Sequence, residues 1–196
     1  MVLLLRLVLS VTATAPQVDP PIQFEIRAFD GSEDVTAETS INIYAAGTRD
    51  KPVRPVARPG RGLVAEVPVG IYDAQAIQQH QGQVVNIRWA ERLLAQHYPD
   101  EEGRHLEVVN FRRGFGALQL RRAVGARREL AWEAAAFAAG NRTQPVGTAI
   151  AGDDYVLFAL PAGRYDILVR IGGASTWLAD VDVPLDRTRM KQVPAQ

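Results

Sequence analysis

The chain has 196 residues, of which 47% are hydrophobic and 22% charged, and this composition is that of an ordinary globular protein rather than a disordered or fibrous one. Lys and Arg together number 22, as do Asp and Glu, so no net charge draws the protein to nucleic acid or to an anionic membrane. Cysteine is absent, which excludes disulfides, thiol nucleophiles and thiolate metal sites.

The first 15 residues form an apolar run that is interrupted by Arg6 and Ser10 and ends in small residues. A bilayer span needs about 18 or more apolar residues, so the run is too short to cross a membrane. It suits the hydrophobic region of a signal peptide cleaved after Ala13 or Ala15. We therefore predict a signal peptide over 1–15 and a periplasmic or secreted protein without a transmembrane segment. The alternative is a buried first strand in a cytoplasmic protein.

The rest of the first half is predicted to consist of short strands separated by turns. Segment 48–62 carries three prolines and five basic residues and is predicted to be a long exposed loop. A turn at 112–114 is expected to join two of the strands, 104–111 and 115–122, into a hairpin. Segment 92–98 is ambiguous between helix and strand. The predicted strands cover 24–29, 41–44, 63–67, 71–77, 83–90, 104–111 and 115–122.

The second half begins with a segment, 129–140, whose alanines favour a helix by propensity. We nevertheless predict a strand there, because it matches a strand of the first half in the repeat described next. Apolar strands follow over 155–160 and 165–171. Residues 177–185 alternate between apolar and polar, which predicts a half-buried strand with Trp177 and Leu185 on its core face.

One short pattern occurs twice, 93 residues apart, as an apolar residue followed by Pro-x-Gly-x-Tyr-Asp. Upstream of the two copies, residues 24–29 resemble residues 132–137, and a tryptophan follows each copy. A repeat of this length indicates two copies of one domain, since solenoid units are shorter. Pro and Gly favour a chain reversal, which we predict joins two antiparallel strands, and the tyrosine hydroxyl is expected to bond to nearby backbone. The predicted structural residues are Pro68, Gly70 and Tyr72 in the first copy and Pro161, Gly163 and Tyr165 in the second.

The second copy, LPAGRYDILV at 160–169, resembles the L-P-x-G-x-Y-x-V-x-V signature of carboxypeptidase regulatory-like domains, which are related to prealbumin-like and collagen-binding B-type modules. The resemblance covers 129–190 well and 20–80 more loosely. It implies an all-β fold of two tandem Greek-key prealbumin-like β-sandwich domains, at 20–123 and 129–190. Members of this family are non-catalytic modules of secreted and surface proteins. The first copy departs from the pattern by an inserted Pro/Arg loop and extra strands, and the second copy is short.

No nucleophile motif or phosphate-binding glycine loop is present in the sequence. Three histidines lie within one stretch, and a turn could bring His97 near His105 with acidic residues between them. Imidazole and carboxylate ligands suit zinc, so a metal-dependent hydrolase is the alternative to a solvated loop with incidental histidines.

Two other groups of side chains could form a binding surface. Arginines are concentrated in 104–128, and they either bind an anion or form a solvated face. The anion-binding candidates are Arg104, Arg112, Arg113, Arg121 and Arg122. Aromatic residues could instead stack on sugars or belong to the core, and we expect the core. These residues are Trp89, Trp132, Trp177, Tyr44 and Tyr98.

Taken together, these features predict a non-enzymatic, exported binding or scaffold module without a cofactor. Its partner is expected to be another exported or surface protein, or a glycan, and not nucleic acid. The recognition surface is expected on the 48–62 loop or in the basic segment 104–128, because loops on a rigid sandwich carry recognition. A carbohydrate-binding module is a further alternative.

Overall fold

The computed structural model describes residues 19–98, 104–123, 130–147, 149–151 and 155–194, and the predicted signal peptide lies outside them. In these ranges the chain is all-β apart from one 3-10 turn, Thr36–Glu38. The strands, in chain order, are β1 (Ile22–Asp30), β2 (Glu33–Asp34), β3 (Thr39–Ala45), β4 (Val56–Ala57), β5 (Leu63–Val67), β6 (Gly70–His80), β7 (Gln83–Ala95), β8 (Arg104–Asn110), β9 (Phe115–Arg122), β10 (Trp132–Ala138), β11 (Pro145–Gly147), β12 (Ile150–Ala151), β13 (Tyr155–Pro161), β14 (Gly163–Ile171), β15 (Ala174–Val183) and β16 (Thr188–Val193).

The strands form four sheets. Sheet I has the order β3-β6-β7. In sheet II, β1 pairs with β5 and β2 and also with β8, and β4 lies beyond β5. Sheet III has the order β12-β13-β9-β16, and sheet IV has the order β11-β10-β14-β15. The first half of the chain, β1–β8, therefore builds sheets I and II, and the second half, β9–β16, builds sheets III and IV.

Three apolar clusters show how the sheets are layered. The first cluster lies between sheets I and II and includes Phe24 and Ile43. The second lies between sheets III and IV and includes Phe158. The third joins sheet II to sheet III, where Phe29 and Leu157 are fully buried. The order of the layers is therefore I-II-III-IV, with an apolar contact between the two halves.

The two halves share one strand topology. In each half the first strand pairs in parallel with the last, β1 with β8 and β9 with β16. Each first strand also pairs antiparallel with the strand that precedes the Pro-x-Gly turn, β1 with β5 and β9 with β13. The other sheets, β3-β6-β7 and β10-β14-β15, match as well. The equivalent of β10 is therefore β3, so the predicted match of 24–29 with 132–137 is wrong.

Three predicted hairpins are absent from the sheets. Strand β8 pairs with β1, and β9 pairs with β13 and β16, so the turn at 112–114 joins two sheets rather than two neighbouring strands. The Pro-x-Gly turns likewise connect β5 to β6 and β13 to β14 across a sandwich. Strands β9 and β13 are buried on both faces and each pairs with two neighbours inside sheet III, whereas β8, which is also largely buried, forms an edge of sheet II beside β1. Strand β9 thus lies with the second half, although the predicted first domain, 20–123, included it.

The alanine-rich segment forms a strand, as predicted. Strand β10 pairs with β14 along its whole length. Ala136 is fully buried in the second cluster, and Trp132 packs against the edge of that cluster. Burial against β14 thus outweighs the helix propensity of the alanines.

The alternation predicted for 177–185 is interrupted by a bulge. Asp180 has a φ of 55°, and the pairing of β14 with β15 shifts register at this point. Leu178 and Val181 therefore both face the core, while Trp177 is 36% exposed. Leu185 is 56% exposed because it lies beyond the end of β15 at Val183. A bulge adds one residue to a strand, so an alternation of period two does not continue through it.

Candidate binding site

The two tyrosines of the repeated motif make the same hydrogen bond. The Tyr72 hydroxyl donates to the carbonyl of Pro68 at 2.8 Å, and the Tyr165 hydroxyl donates to the carbonyl of Pro161 at 2.7 Å. Burial raises the pKa of both hydroxyls, so both remain protonated donors at neutral pH. This is the geometry of a tyrosine corner, in which a tyrosine bonds to backbone a few residues upstream as the chain crosses between sheets. Gly70 and Gly163 lie at the start of the strands that carry the two tyrosines.

Removing one of these hydroxyls should weaken the fold without changing it. We expect Tyr165→Phe to lower the free energy of unfolding by about 1 kcal/mol, because the Pro161 carbonyl loses its donor. Urea unfolding measures the change, with Tyr44→Phe as the control, since the described residues offer no hydrogen bond to that hydroxyl. Equal stability losses in the two variants would contradict a role for the corner.

The aspartate after each tyrosine holds a bulge in the neighbouring strand. Asp73 accepts from the backbone N–H of Arg92 at 2.9 Å, and Asp166 accepts from that of Asp180 at 3.0 Å. Burial alone would raise the pKa of Asp73, but hydrogen bonds, including one from Arg49, lower it. The pKa of Asp166 is lowered mainly by its hydrogen bond from an arginine and by the bulge N–H.

Each aspartate also belongs to a polar and aromatic group on the outer face of its half. Arg49 bonds to Asp73 at 2.7 Å and lies 4.2 Å from the ring centroid of Trp89. In the second half, Arg142 bonds to Asp166 at 2.8 Å and lies 4.4 Å from the ring centroid of Trp177. The two tryptophans thus contact arginines on outer faces, which differs from the core packing that we expected for them.

The predicted arginine group does not form one surface. Arg121 is 9% exposed and lies 4.7 Å from the ring centroid of Tyr98. Arg122 contacts the Trp132 ring and the Leu130 carbonyl. The other members are elsewhere: Arg112 and Arg113 are in the turn after β8, where Arg112 pairs with Asp30 at 3.3 Å, and Arg104 begins β8.

His97 and His105 have different surroundings. His105 is 5% exposed and stacks on the Tyr98 ring at 4.7 Å, with its Nε2 atom 3.2 Å from Glu107. His97 is half-buried, two residues after the end of β7, and its Nε2 atom lies 3.2 Å from the Pro20 carbonyl oxygen. Across the described part of the chain, no three His, Asp or Glu side chains are grouped as metal ligands. The acidic residues at 100–102 lie outside the described residues.

A buried ionic network, which was not predicted from the sequence, connects the two halves. Glu25 is 2% exposed and accepts from the Tyr155 hydroxyl at 2.7 Å and from the Gly62 N–H at 2.8 Å. Arg27 donates to the Tyr155 hydroxyl at 2.8 Å and pairs with Asp34 at 3.1 Å. Since Tyr155 belongs to β13 and the other groups to the first half, the network fixes sheet II against sheet III. Its signal in the sequence is the pair Glu25 and Arg27, which alternates with the apolar Phe24, Ile26 and Ala28 in β1.

Next to this network lies a groove of about 600 Å³, here called the basic groove. Its floor includes Gln23 of β1, Glu66 of β5 and Arg104 of β8, which are neighbours across sheet II. The 48–62 loop forms its wall. The lining residues supplied by this loop are Val53, Arg54, Val56, Arg58, Pro59 and Arg61.

Four arginines and one carboxylate line the groove, and its excess positive charge rests on Arg54 and Arg58. Arg61 is held by Glu25 at 3.1 Å and by Gln23 at 2.8 Å. Arg54 and Arg58 are exposed, and no carboxylate of the described residues lies within ion-pair distance of either. The loop was predicted from its composition to carry recognition, whereas its juxtaposition with Arg104 follows only from the sheet.

No family model and no curated protein matches the chain. Solved structures similar to it include a fimbrial protein of Bacteroides ovatus, with 9% identity over 90% of this chain and 49% of that chain and a TM-score of 0.33. The tip fimbrial protein Mfa3 of Porphyromonas gingivalis has 10% identity over 90% of this chain and 97% of that chain, with a TM-score of 0.29.

The Bacillus anthracis TIE protein has 16% identity and a TM-score of 0.32, and the match covers 90% of this chain but only 34% of that chain. The chain also spans only 26% of a leucine-rich repeat protein of Bacteroides thetaiotaomicron. All of these TM-scores are below 0.5, so these similarities carry no argument about function. Within the described ranges, no helix is long and apolar enough to span a bilayer.

Proposed function

We propose that the chain is a non-enzymatic binding or scaffold module of an exported, surface-associated protein. In this proposal it consists of two tandem prealbumin-like Greek-key sandwiches that resemble carboxypeptidase regulatory-like domains. The boundary between them lies between Asn110 and Phe115, because β8 completes the first set of sheets and β9 begins the second. The shared topology, the two tyrosine corners and the contact between sheets II and III support a rigid double module.

The observation that carries the binding role is a difference between two equivalent loops. The connection from β3 to β5 covers 46–62, and the matching connection from β10 to β13 covers 139–154. The two connections have nearly the same length, so the prediction that the first copy contains an inserted loop is wrong. The first loop has five basic residues, whereas the second has Arg142 alone and two aspartates at its end. Arg49 and Arg61 are bound to Asp73 and Glu25 and so support the fold. Lys51, Arg54 and Arg58 are exposed and form no ion pair with the described carboxylates, so their charge is available for recognition.

The partner is another exported or surface protein, or a glycan, which contacts the 48–62 loop. A binding surface of this kind needs a scaffold that keeps its shape. The Glu25 network supplies it, because Arg61 and Gly62 at the end of the loop bond directly to the Glu25 carboxylate.

Fractionation of the native host tests the export step. We expect the full chain to be processed near Ala13 or Ala15 and recovered from the periplasm, the cell surface or the medium, since 1–15 has the properties of a signal peptide. N-terminal sequencing and immunoblotting of the fractions measure this. The control is a chain that lacks residues 2–15, which should stay in the cytosol. An intact Met1 on full-length protein in the cytosol would overturn the proposal of export.

A further inference from the structure

We propose that the basic groove binds an extended acidic segment of a protein partner, which adds as a strand beside β5. This inference rests on the binding function proposed above and specifies the chemical class of the partner. It follows from the charge of the groove, from the open edge of β5 and from the kind of side chains that line the groove.

The positive charge of the groove favours binding of an anionic partner. Arg54 and Arg58 line the loop wall, and Arg104 lines the floor. Guanidinium groups bind carboxylates with two parallel hydrogen bonds, which fixes both the position and the orientation of an acidic side chain. The groove is long enough to be lined by three strands and a loop, so it suits several carboxylates in a row better than one small anion.

The unpaired edge of β5 favours a partner segment with an extended backbone. Strand β4 has two residues and pairs with β5 only at Leu63 and Val64. Beyond Val64, no strand within the described ranges pairs with this edge, although Ala65 and Glu66 line the groove. An unpaired strand edge offers backbone N–H and C=O groups to an incoming peptide, which can then add to the sheet.

The lining also distinguishes a peptide from an anionic glycan. None of its described residues is aromatic, so the groove lacks a flat ring on which a sugar could stack. It instead contains Val53 and Val56, which are 41% and 55% exposed. Side chains of an added strand alternate between two directions, so an acidic residue could contact the arginines while its neighbour contacts these valines.

The test uses an acidic peptide of about ten residues that alternates Glu and Thr, labelled for fluorescence anisotropy, and the full chain. We expect the double variant Arg54→Ala/Arg58→Ala to bind this probe about tenfold more weakly, as two lost charge pairs imply. The matched control is Arg113→Ala/Lys191→Ala, which removes two positive charges outside the groove. We expect the affinity of the control to equal that of the unmodified chain, and circular dichroism checks that both variants are folded.

Two more probes separate the parts of the proposal. A peptide in which every backbone nitrogen is methylated keeps its charge but cannot donate strand hydrogen bonds from either edge, so we expect it to bind about tenfold more weakly. Binding as tight as that of the parent peptide would overturn strand addition. Equal losses in the two double variants would overturn the assignment to the groove.

The last probe is polygalacturonate, an anionic glycan. We expect it to bind more weakly than the peptide, and tighter binding that depends on Arg54 and Arg58 would overturn the choice of a protein segment. That result would leave the binding function proposed above in place. If no probe binds, the inference about the groove fails, whereas the export of the module is judged separately by the fractionation of the host.

Discussion

Replacing Glu25 by glutamine should lower the free energy of unfolding by about 3 kcal/mol at neutral pH. The Glu25 carboxylate is buried and accepts from Tyr155, Gly62, Arg27 and Arg61. A neutral amide of the same size keeps the volume but leaves Arg27 with one fewer carboxylate in a buried position, and its NH2 group faces donors. Chemical unfolding in urea measures the loss, and the exposed Glu33→Gln is the control, with an expected change below about 0.5 kcal/mol.

The effect of this substitution should depend on pH. Burial alone would raise the pKa of Glu25, but the hydrogen bonds from Tyr155 and Gly62 and the charges of Arg61 and Arg27 lower it below its ordinary value of 4.5. A carboxyl with a lowered folded pKa contributes stability that is complete above the unfolded value and is lost as the pH falls through the folded value. The difference between Glu25→Gln and the unmodified chain should therefore be largest at pH 6–7 and shrink well below pH 4.5. A difference that does not change with pH would contradict the assigned network.

Replacing Phe29 by alanine should lower the free energy of unfolding by about 3–5 kcal/mol. Phe29 is fully buried in the third cluster, where it packs with Leu106 of its own half and with Leu157 of the other. The lost ring leaves a cavity between sheets II and III rather than inside either sandwich. Because both halves contribute to this cluster, we expect the unmodified chain to unfold in one transition and the variant to weaken both halves together.

The measurement compares two signals during urea unfolding, circular dichroism for the whole chain and the fluorescence of one tryptophan in each half. Single-tryptophan variants that retain either Trp89 or Trp177 report on the first and second half. The control is Val85→Ala on the exposed face of β7, where the side chain is 57% exposed and a change below about 0.5 kcal/mol is expected. Two separate transitions in the unmodified chain would show that the halves fold independently and would contradict a rigid double module.

The strands were largely predictable because their patterns are local. Alternation and turn residues located most of them. The repeat also favoured a strand for β10 over the helix that its alanines suggest, and β10 is a strand, although its counterpart is β3 and not β1 as the sequence match indicated. The duplicated Pro-x-Gly-x-Tyr-Asp motif was also visible, since a tyrosine corner is built from residues a few positions apart. What the motif did not indicate is that the chain crosses between sheets after Pro68 and Pro161, because a chain reversal looks alike in a hairpin and in a crossing.

The candidate site was predictable only in part. The 48–62 loop was recognised by its prolines and basic residues, whereas the five arginines selected in 104–122 were grouped by nearness in sequence. In the sheets Arg121 packs on Tyr98 and Arg104 lies beside Gln23, so the charge that faces the groove comes from residues about 50 positions apart. Nearness along a strand does not place side chains together, since successive residues point to opposite faces.

Local chemistry alone thus determined the all-β class of this chain, its turns, its duplicated motif and the exposure of its basic loop. The tertiary structure decided which sheet each strand joins, where the bulges at Arg92 and Asp180 shift the register, and how Glu25 and Arg27 meet Tyr155. The physical reason lies in the range of the interactions. Alternation and turn propensity depend on neighbouring residues, but a strand buried on both faces, such as β1 or β13, can satisfy its apolar pattern in several sheets. Its place is settled only when distant strands cover both of its faces and its buried charges find partners across the contact between the halves.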